Sequence, residues 1–221
     1  MARLPRLVLP GHAHCVIQRS LPGQAAFVDN TDRQRYLAHL HDAAARHRLT
    51  LHAWALLDDE VQLLATPADT AALGLCMQDI GRSYVSAYNR RHTRRGTLWD
   101  GRYRAAVVEP GPLLLTMLAL VDGQSSEPGW TSAAHRLGGE RDPALTDPTE
   151  FWALGNTPFE REGAYRRHLA APAPPETAAT MRRSVLGGWP VAGASFASAL
   201  AVGTGRSSRP RPAGRPRNDR A

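Results

Sequence analysis

The alternation of apolar and polar positions predicts an α+β fold in the first half of the chain. Runs rich in β-branched and apolar residues predict strands at residues 7–19, 51–57, 61–66 and 103–108. Apolar residues at helical spacing predict helices at residues 31–47, 69–91 and 112–121. Up to residue 108 the order is β-α-β-β-α-β, which predicts a ferredoxin-like core.

Local signals refine the two long helices. Thr31 and Gln34 have the spacing of a capping box, which predicts where the first helix begins. In the second helix, Tyr84 and Tyr88 follow Ile80 at helical spacing. We therefore predict that both tyrosines pack in the core rather than act as nucleophiles.

The composition changes after Gly123. Pro, Gly, Ser and Asp dominate to about Pro148, and short helical segments follow. From residue 203 the chain is low-complexity and too polar to fold alone. We predict a core domain at 1–125, a loosely attached helical C-terminal region at 126–202 and a disordered Arg- and Pro-rich tail at 203–221.

Composition narrows the class of protein. An apolar fraction of 43% fits a globular chain. No segment is apolar enough to span a bilayer or to serve as a secretory signal, which predicts a cytoplasmic protein without a membrane partner. Cys15 and Cys76 lie far apart and outside any CxxC motif, so we predict two buried free thiols.

The net charge of +7 is concentrated in two places. Residues 82–104 carry seven arginines against Asp100, and residues 206–221 carry six against Asp219. Such patches on a mildly acidic body are typical of an electrostatic footprint for a polyanion. The chain contains no lysine, so a genomic bias toward arginine codons is the alternative explanation of part of this charge.

The richest segment is the basic block, residues 89–105, NRRHTRRGTLWDGRYRA. Guanidinium groups bind phosphates and aromatic rings stack on bases, so the mixture predicts a nucleic-acid surface. The candidate DNA contacts are Arg90, Arg91, Arg94, Arg95, Trp99, Arg102 and Arg104.

Two details of the basic block follow from its neighbours. Strand alternation puts Arg102 and Arg104 on one face and Tyr103 on the other, which favours burial of Tyr103. For Trp99 two interpretations stay open, because its ring could stack on a base or anchor the loop to the core.

The tail adds a second basic segment, PRPAGRPRN, in which Arg215 and Arg217 are the candidate contacts. It resembles an AT-hook, whose arginines enter a narrow minor groove. Because the motif is short, we favour a non-specific basic arm over a sequence-reading hook.

A His-x-His pair stands near the start of the chain, at His12 and His14. On a strand the two rings would share a face, but the sequence offers no third ligand beside them. We therefore predict ordinary polar residues and no metal site there.

Together the quoted segments resemble a known family, the single-tyrosine HUH-type transposases of the REP-associated kind. The resembling segments are ARLPRLVLPG with VIQR, DRQRYL, LHAWALL with VQLLATP, IGRSYVSAYNRRHTRRGTLWDGRYRA, WALG and AGRPR. The resemblance implies a ferredoxin-like fold that cuts single-stranded DNA beside a hairpin. It also implies a phosphotyrosine intermediate and a divalent cation held by two histidines, and it leaves monomer and homodimer both open.

The sequence departs from that family at the catalytic positions. Glu60 and Gln62 stand where the resemblance implies the two histidines, and Leu120, or Ala119 in a shifted register, stands where it implies the tyrosine. Glu60 could still ligate a hard cation, so Mg²⁺ or Mn²⁺ is expected only if activity is retained.

These departures predict a transposase-family protein that binds single-stranded or hairpin DNA without strand transfer. The alternatives are an active transposase that uses substitute residues and a decayed copy without function.

Overall fold

The computed structural model describes residues 6–124 and 129–207. Its centre is one four-stranded sheet in the order β2-β3-β1-β4, in which every neighbouring pair is antiparallel. The strands are β1 (His14–Arg19), β2 (Leu49–Leu56), β3 (Glu60–Pro67) and β4 (Arg104–Val107). This order and the β-α-β-β-α-β succession confirm the ferredoxin-like prediction.

Two long helices, α1 (Asn30–Arg46) and α2 (Ala72–Arg91), cover one face of the sheet, called here the first face. Tyr36 of α1 and Tyr84 of α2 are fully buried, with ring centroids 5.0 Å apart. Tyr88 is also buried, so the prediction that the α2 tyrosines pack in the core is confirmed.

The opposite face, called here the second face, carries Cys15, Ile17 and Leu64. It is covered by α3 (Pro112–Asp122), which packs Met117 and Leu118 against these strand residues. The thiols of both cysteines are free and buried, as predicted, and burial raises the pKa of Cys15 to about 12.

The C-terminal region completes the second face instead of hanging loosely from the core. It contains a 3₁₀ helix (Ser132–Arg136) and the helices α4 (Thr149–Trp152), α5 (Pro158–Ala170), α6 (Pro175–Gly187) and α7 (Ala194–Thr204). Their buried contributions to the core are Phe151, Tyr165, Met181, Val185 and Ala197. The expected loose attachment was wrong, because the second face of the sheet is apolar and needs this cover.

A buried polar cluster ties the two parts of the chain together. Asp122 Oδ2 accepts hydrogen bonds from Arg136 Nη1 at 2.9 Å and from Tyr165 Oη at 2.6 Å. Ser132 Oγ donates to Asp122 Oδ1 at 2.5 Å, and the Arg136 guanidinium also donates to the carbonyl of His52 on β2. A buried carboxylate is tolerable here because every oxygen has a donor.

Three predicted element boundaries differ from the structure. β1 begins at His14 rather than near residue 7, after a turn that places Gly11 at φ +72°. The side chain that caps α1 belongs to Asp29, which accepts from the Asp32 amide at 3.1 Å, so the Thr31 box is not used. α2 begins at Ala72 rather than at Asp69, because the Asp69 carboxylate accepts hydrogen bonds from the amides of Ala71 and Ala72 and so lies outside the helix.

The tail prediction falls almost wholly outside the described residues, as do Arg215 and Arg217. Within residues 6–124 and 129–207, no helix is long and apolar enough to cross a membrane.

Candidate nucleic-acid interface

A groove of about 970 Å³ opens where β4, the end of β1 and the C-terminal end of α6 meet. The basic side chains that line it are Arg6, Arg19, Arg102, Arg104 and Arg206. Among the described residues, Asp100 is the one acidic residue in its lining. We call this site the arginine groove, and its excess of cations fits a polyanionic ligand.

The strand register explains why arginines from separate segments meet there. Ile17 of β1 lies opposite Arg104 of β4 and Gln62 of β3, and Arg19 lies opposite Glu60. Directly opposed residues of a sheet project to the same face, so Arg19 and Arg104 both lie on the second face.

The predicted alternation around Tyr103 holds in the structure. Arg102 and Arg104 are exposed and line the groove, whereas Tyr103 between them is 9% exposed and belongs to the core of the first face. The Arg6 guanidinium lies 3.7 Å from the centroid of the Tyr103 ring, and its Nη2 donates to the Tyr103 carbonyl at 2.7 Å. Arg6 therefore fixes the N-terminal segment to the side of the groove.

Three of the lining arginines are available to a ligand. Arg19, Arg102 and Arg104 are exposed, and none of their guanidinium groups forms a hydrogen bond or an ion pair with another described residue. A guanidinium presents five N–H donors in a planar fork, which matches two oxygens of a phosphate. The groove thus carries unsatisfied donors suited to a phosphodiester chain.

The far wall of the groove comes from the end of α6. Gly188 ends this helix in the left-handed region, at φ +73°, and its amide bonds back to Val185. The Trp189 amide then donates to the Ser184 carbonyl at 2.9 Å, which folds the indole over Gly187. A Cβ on Gly187 would lie only 2.5 Å from Trp189 Cδ1, so this placement requires glycine there.

The rest of the basic block does not join the groove. Arg91, at the end of α2, donates to Asp29 at 2.5 and 2.9 Å and to Asp32 at 2.6 Å. The hydrogen bonds from Arg91 lower the pKa of Asp29 to about 2, and those from the two aspartates raise the pKa of Arg91. Arg91 is therefore committed to the start of α1.

Arg94 is likewise occupied within the protein. Its guanidinium donates to the Gln24 side-chain oxygen and lies 5.6 Å from the centroid of the Tyr88 ring. Arg90 and Arg95 are exposed near the same end of α2, outside the groove lining. The basic block is thus divided between two surfaces, and a DNA contact by its first four arginines stays a prediction.

Trp99 belongs to the core, which corrects its inclusion among the DNA contacts. The residue is 5% exposed, and its ring centroid lies 6.2 Å from those of Tyr36 and Tyr84. A base could stack on this indole only if the first-face core opened. Of the two sequence interpretations, the structure supports the anchoring role.

Glu60 forms an ion pair with Arg182 of α6, and Gln62 contacts the same carboxylate. The sequence did not single out Arg182. Arg182 Nη1 donates to Glu60 Oε1 at 2.7 Å, and Nη2 donates to Oε2 at 2.5 Å. Gln62 Nε2 donates to Glu60 Oε1 at 2.7 Å. The three side chains lie on the second face beside the groove, in register with Ile17 and Arg19.

This donor set does not fit a divalent cation. Both oxygens of Glu60 already accept from a guanidinium, and Gln62 turns its amide nitrogen toward them. A hard cation needs several oxygen ligands, and the positive guanidinium fills the place next to the carboxylate. Among the described residues, no group of three or more His, Cys, Asp or Glu side chains has the geometry of a metal site.

The tyrosine position and the tyrosines themselves are equally far from nucleophilic chemistry. Leu120 is half-buried on α3 and packs against the second-face core. All five tyrosines of the chain, Tyr36, Tyr84, Tyr88, Tyr103 and Tyr165, are buried. Desolvation raises the pKa of each of them, which opposes formation of a phenolate.

The two histidines near the chain start lie in different environments, because His12 precedes β1 and is half-buried. His14 is buried in β1; its Nδ1 bonds to the His12 carbonyl at 2.8 Å and its Nε2 accepts from the Leu9 amide at 3.2 Å. Burial lowers the pKa of His14 to about 4. Both ring nitrogens have partners within the protein, as the prediction of an ordinary polar residue requires.

Comparisons with known proteins find the fold but no sequence relative. No family model matches the chain, and no curated protein matches it. A solved structure of the REP-associated tyrosine transposase bound to a REP hairpin superposes with a TM-score of 0.51 at 10% identity, covering 68% of this chain and 93% of that one. A proposed transposase from Deinococcus radiodurans R1 matches 50% of this chain and 88% of its own at 22% identity, with a TM-score of 0.37. The chain therefore has the fold of a REP-associated tyrosine transposase, which confirms the resemblance at the level of structure.

Proposed function

We propose that this protein binds single-stranded or hairpin DNA in the arginine groove and does not cut or join DNA strands. The observation that carries the proposal is the meeting of Arg19, Arg102 and Arg104 in one groove, each without an acidic partner for its side chain among the described residues. Three exposed cations near one another repel, and a bound anion that neutralises them relieves this repulsion. A phosphodiester backbone supplies one negative charge per nucleotide.

The fold supports DNA as the source of that charge. The transposase with the same fold was solved with a REP hairpin bound. In this chain the groove lies beside Glu60 and Gln62, the positions where the resemblance implies catalytic groups. A nucleic acid held in the groove would therefore pass the same part of the second face.

Three features support binding without strand transfer. Leu120 has no nucleophilic oxygen, and each tyrosine is buried with its pKa raised. The Glu60 carboxylate is held by Arg182 rather than left open for a cation. A phosphotyrosine reaction needs both an accessible phenol and a group that stabilises the charged phosphate in the transition state.

Fluorescence anisotropy would test the binding. The probes are a labelled hairpin with an unpaired extension and a blunt duplex of the same length, each measured across a salt series. We expect preference for the hairpin and a logarithmic affinity that falls steeply with the logarithm of salt concentration. Equal, weak binding to both DNAs would contradict the proposal and favour a decayed copy.

A second experiment tests the absence of strand transfer. The protein is incubated with the same hairpin and Mn²⁺, then denatured and separated by electrophoresis. We expect no protein–DNA adduct, and the adduct's appearance would restore the active-transposase alternative. Because a decayed copy would fold poorly, a cooperative thermal transition in the same preparation separates an intact binding protein from that case.

A further inference from the structure

We propose that Trp189 is a stacking platform for an unpaired nucleobase, so that the arginine groove reads single-stranded rather than paired nucleic acid. This inference rests on the proposed function and specifies its ligand. It assigns the base contact to a residue of the C-terminal region, outside the basic block.

Trp189 differs from the other four tryptophans in having no aromatic, cationic or hydrogen-bonding partner for its ring among the described residues. Trp99 packs against tyrosines, and Trp54 Nε1 donates to Asp142 at 2.8 Å. Arg33 lies 5.5 Å from the Trp130 ring, and Arg161 lies 4.5 Å from the Trp152 ring. Within residues 6–124 and 129–207, the Trp189 indole has no ring, guanidinium or hydrogen-bond partner.

The backbone holds this unpartnered ring in place. Trp189 is half-buried and lines the groove, with Cδ1 and Nε1 against Gly187. The left-handed Gly188 and the bond from the Trp189 amide to Ser184 fix the turn that presents it. A rigidly held aromatic surface loses little conformational entropy when a base stacks on it, which is why such surfaces recur in recognition sites.

The rest of the groove fits a nucleotide chain beside that ring. Arg104 of β4 lines the wall opposite the α6 end, so phosphate donors and the aromatic surface share one cavity. The volume of about 970 Å³ lies at the upper end of the range of roughly 300–1,000 Å³ found for small-ligand sites. The cavity therefore has room for more than a single phosphate ion.

The geometry favours an unpaired base because a duplex hides base faces within its own stack. Only a splayed-out or single-stranded base presents its π-face to a side chain. Guanidinium groups alone would bind the phosphates of either form. The Trp189 indole is thus the part of the groove that distinguishes unpaired from paired nucleic acid.

The test uses two labelled hairpins with the same unpaired extension, one with normal bases and one with abasic sugars throughout the extension. Both present the same phosphates, so the ratio of their affinities isolates base contacts. Stacking of the strength measured in single-strand binding proteins corresponds to roughly 5- to 150-fold per base, and we expect the wild-type ratio to be about 10. Trp189→Ala should bring that ratio to about 1.

Two further variants make the result specific. Trp189→Phe keeps an aromatic face and should retain most of the ratio, whereas Trp152→Ala removes a half-exposed tryptophan outside the groove lining and should leave it unchanged. Thermal denaturation of each variant accompanies the binding curves. If Trp189→Ala weakens binding to both hairpins equally, or lowers the midpoint of unfolding by several degrees, the ring has a structural role and the inference is wrong.

The outcomes separate this inference from the proposed function. A wild-type ratio near 1 with tight, salt-dependent binding to both hairpins overturns base stacking and leaves phosphate binding in place. No binding to either hairpin at low salt overturns the proposed function together with the inference. A high ratio that Trp189→Ala abolishes and Trp189→Phe preserves supports both.

Discussion

The arginines at the end of α2 and those of the arginine groove come from the same basic segment of the sequence but have opposite environments. Arg91 and Arg94 direct guanidinium N–H groups to partners inside the protein, which are Asp29, Asp32 and Gln24. Arg102 and Arg104, about ten residues later, have no such partner among the described residues and face a cavity. Charge density along a sequence therefore does not measure the charge available to a ligand.

The difference follows from what each segment meets after folding. α2 packs beside α1, whose first turn is acidic because negative side chains stabilise the positive end of a helix. The end of α2 falls next to that turn, so Arg91 is neutralised. β4 instead lies at the edge of the sheet, where its register turns Arg104 to the second face beside Arg19. Arg102, just before the strand, lines the same groove.

The largest effect is expected from removing the groove cations together, as Arg19→Ala, Arg102→Ala and Arg104→Ala. Charge-assisted hydrogen bonds contribute roughly 1.5 kcal/mol or more each, so the loss of three should lower hairpin affinity by roughly 1,000-fold or more at low salt. The slope of logarithmic affinity against logarithmic salt should flatten by about 2 to 3. Anisotropy titrations with the labelled hairpin measure both quantities.

The matched control for this triple variant removes three exposed arginines outside the groove lining, Arg35, Arg141 and Arg167. It has the same change in net charge. An equal loss of affinity in both variants would show that general charge, and not the groove, binds the DNA.

The position of the groove wall that α6 forms should depend on the buried polar cluster around Asp122, which attaches the C-terminal region to the sheet. Asp122→Ala removes one of the two carboxylates that pair with the fully buried Arg136 guanidinium, the other being Asp147, and it leaves the Tyr165 and Ser132 hydroxyls without the acceptor they use. Removing one member of a buried ion pair costs about 3 kcal/mol or more, so urea denaturation should show that loss in a single transition. Glu140→Ala at an exposed site should change stability by less than about 0.5 kcal/mol.

A stable Asp122→Ala protein that loses only the C-terminal helices in a separate transition would contradict this view. It would restore the picture of a loosely attached region, and the groove would then have only one fixed wall.

The free energy of unfolding should fall as the pH drops from about 6.5 to 4. DNA binding by the groove arginines and by those at the end of α2 should therefore be compared above this range. His14 has its pKa lowered to about 4 because it is buried, so the unfolded chain takes up a proton before the folded one does. Its contribution is fully present above pH 6.5 and is lost toward pH 4, by up to about 3 kcal/mol. Burial lowers the pKa of His52 too, which adds to the same trend.

His14→Gln should reduce this pH dependence, as measured by denaturant unfolding at pH 7 and at pH 4.5. Retention of the full wild-type dependence in that variant would assign it to other groups.

The Glu60–Arg182 pair should have a smaller effect, because the Arg182 side chain is 42% exposed. Arg182→Met leaves a buried carboxylate unpaired, and we expect a loss of about 1–2 kcal/mol after allowance for solvent screening. Arg183→Met, at the exposed neighbouring position, is the matched control. The double variant Glu60→Gln and Arg182→Met should recover most of the loss.

The Glu60–Arg182 pair predicts that divalent cations do not change the thermal stability of the protein. Adding Mn²⁺ or EDTA should leave the wild-type unfolding midpoint unchanged, since Arg182 holds both Glu60 oxygens. A midpoint that rises with Mn²⁺ concentration would show that a cation binds after all.

The smallest effect is expected among the arginines at the end of α2. Arg91→Met should slightly lower stability and change hairpin affinity far less than the groove variant, because Arg91 is occupied by Asp29 and Asp32. The pKa of Asp29 is lowered to about 2, so its contribution is present above pH 3.8 and is lost as the pH falls toward 2. Acid unfolding of the variant should lack the loss of stability that titration of Asp29 causes in the wild type. A large loss of DNA binding in the variant would instead identify Arg91 as a DNA contact.

Regular elements were predictable because their signals are local. Periodicity identified the four strands, the two long helices and α3, and alternation identified Tyr103 as buried between two exposed arginines. The start of β1 and the cap of α1 were misplaced, because the turn at Gly11 and the Asp29 carboxylate compete with the predicted signals.

The site was only partly predictable. Arg102 and Arg104 were identified from composition, but Arg19, Arg182 and Trp189 were not, since each lies far along the chain from the basic block. The sequence signal for Trp189 was a Gly-Gly-Trp segment at the end of an amphipathic helix, which reads as an ordinary helix stop.

The order of strands and helices and the excess of arginine follow from the sequence alone. So does the presence of Glu60, Gln62 and Leu120 at the positions where the family resemblance implies two histidines and a tyrosine. Those properties depend on residues close together in the chain or on residue identity alone. The folded chain is needed to see which arginines are neutralised, that Trp99 is core while Trp189 lines the groove, and that a guanidinium holds Glu60. Ion pairing and burial depend on partners that sheet register and helix packing bring together across long sequence separations, and no local pattern encodes them.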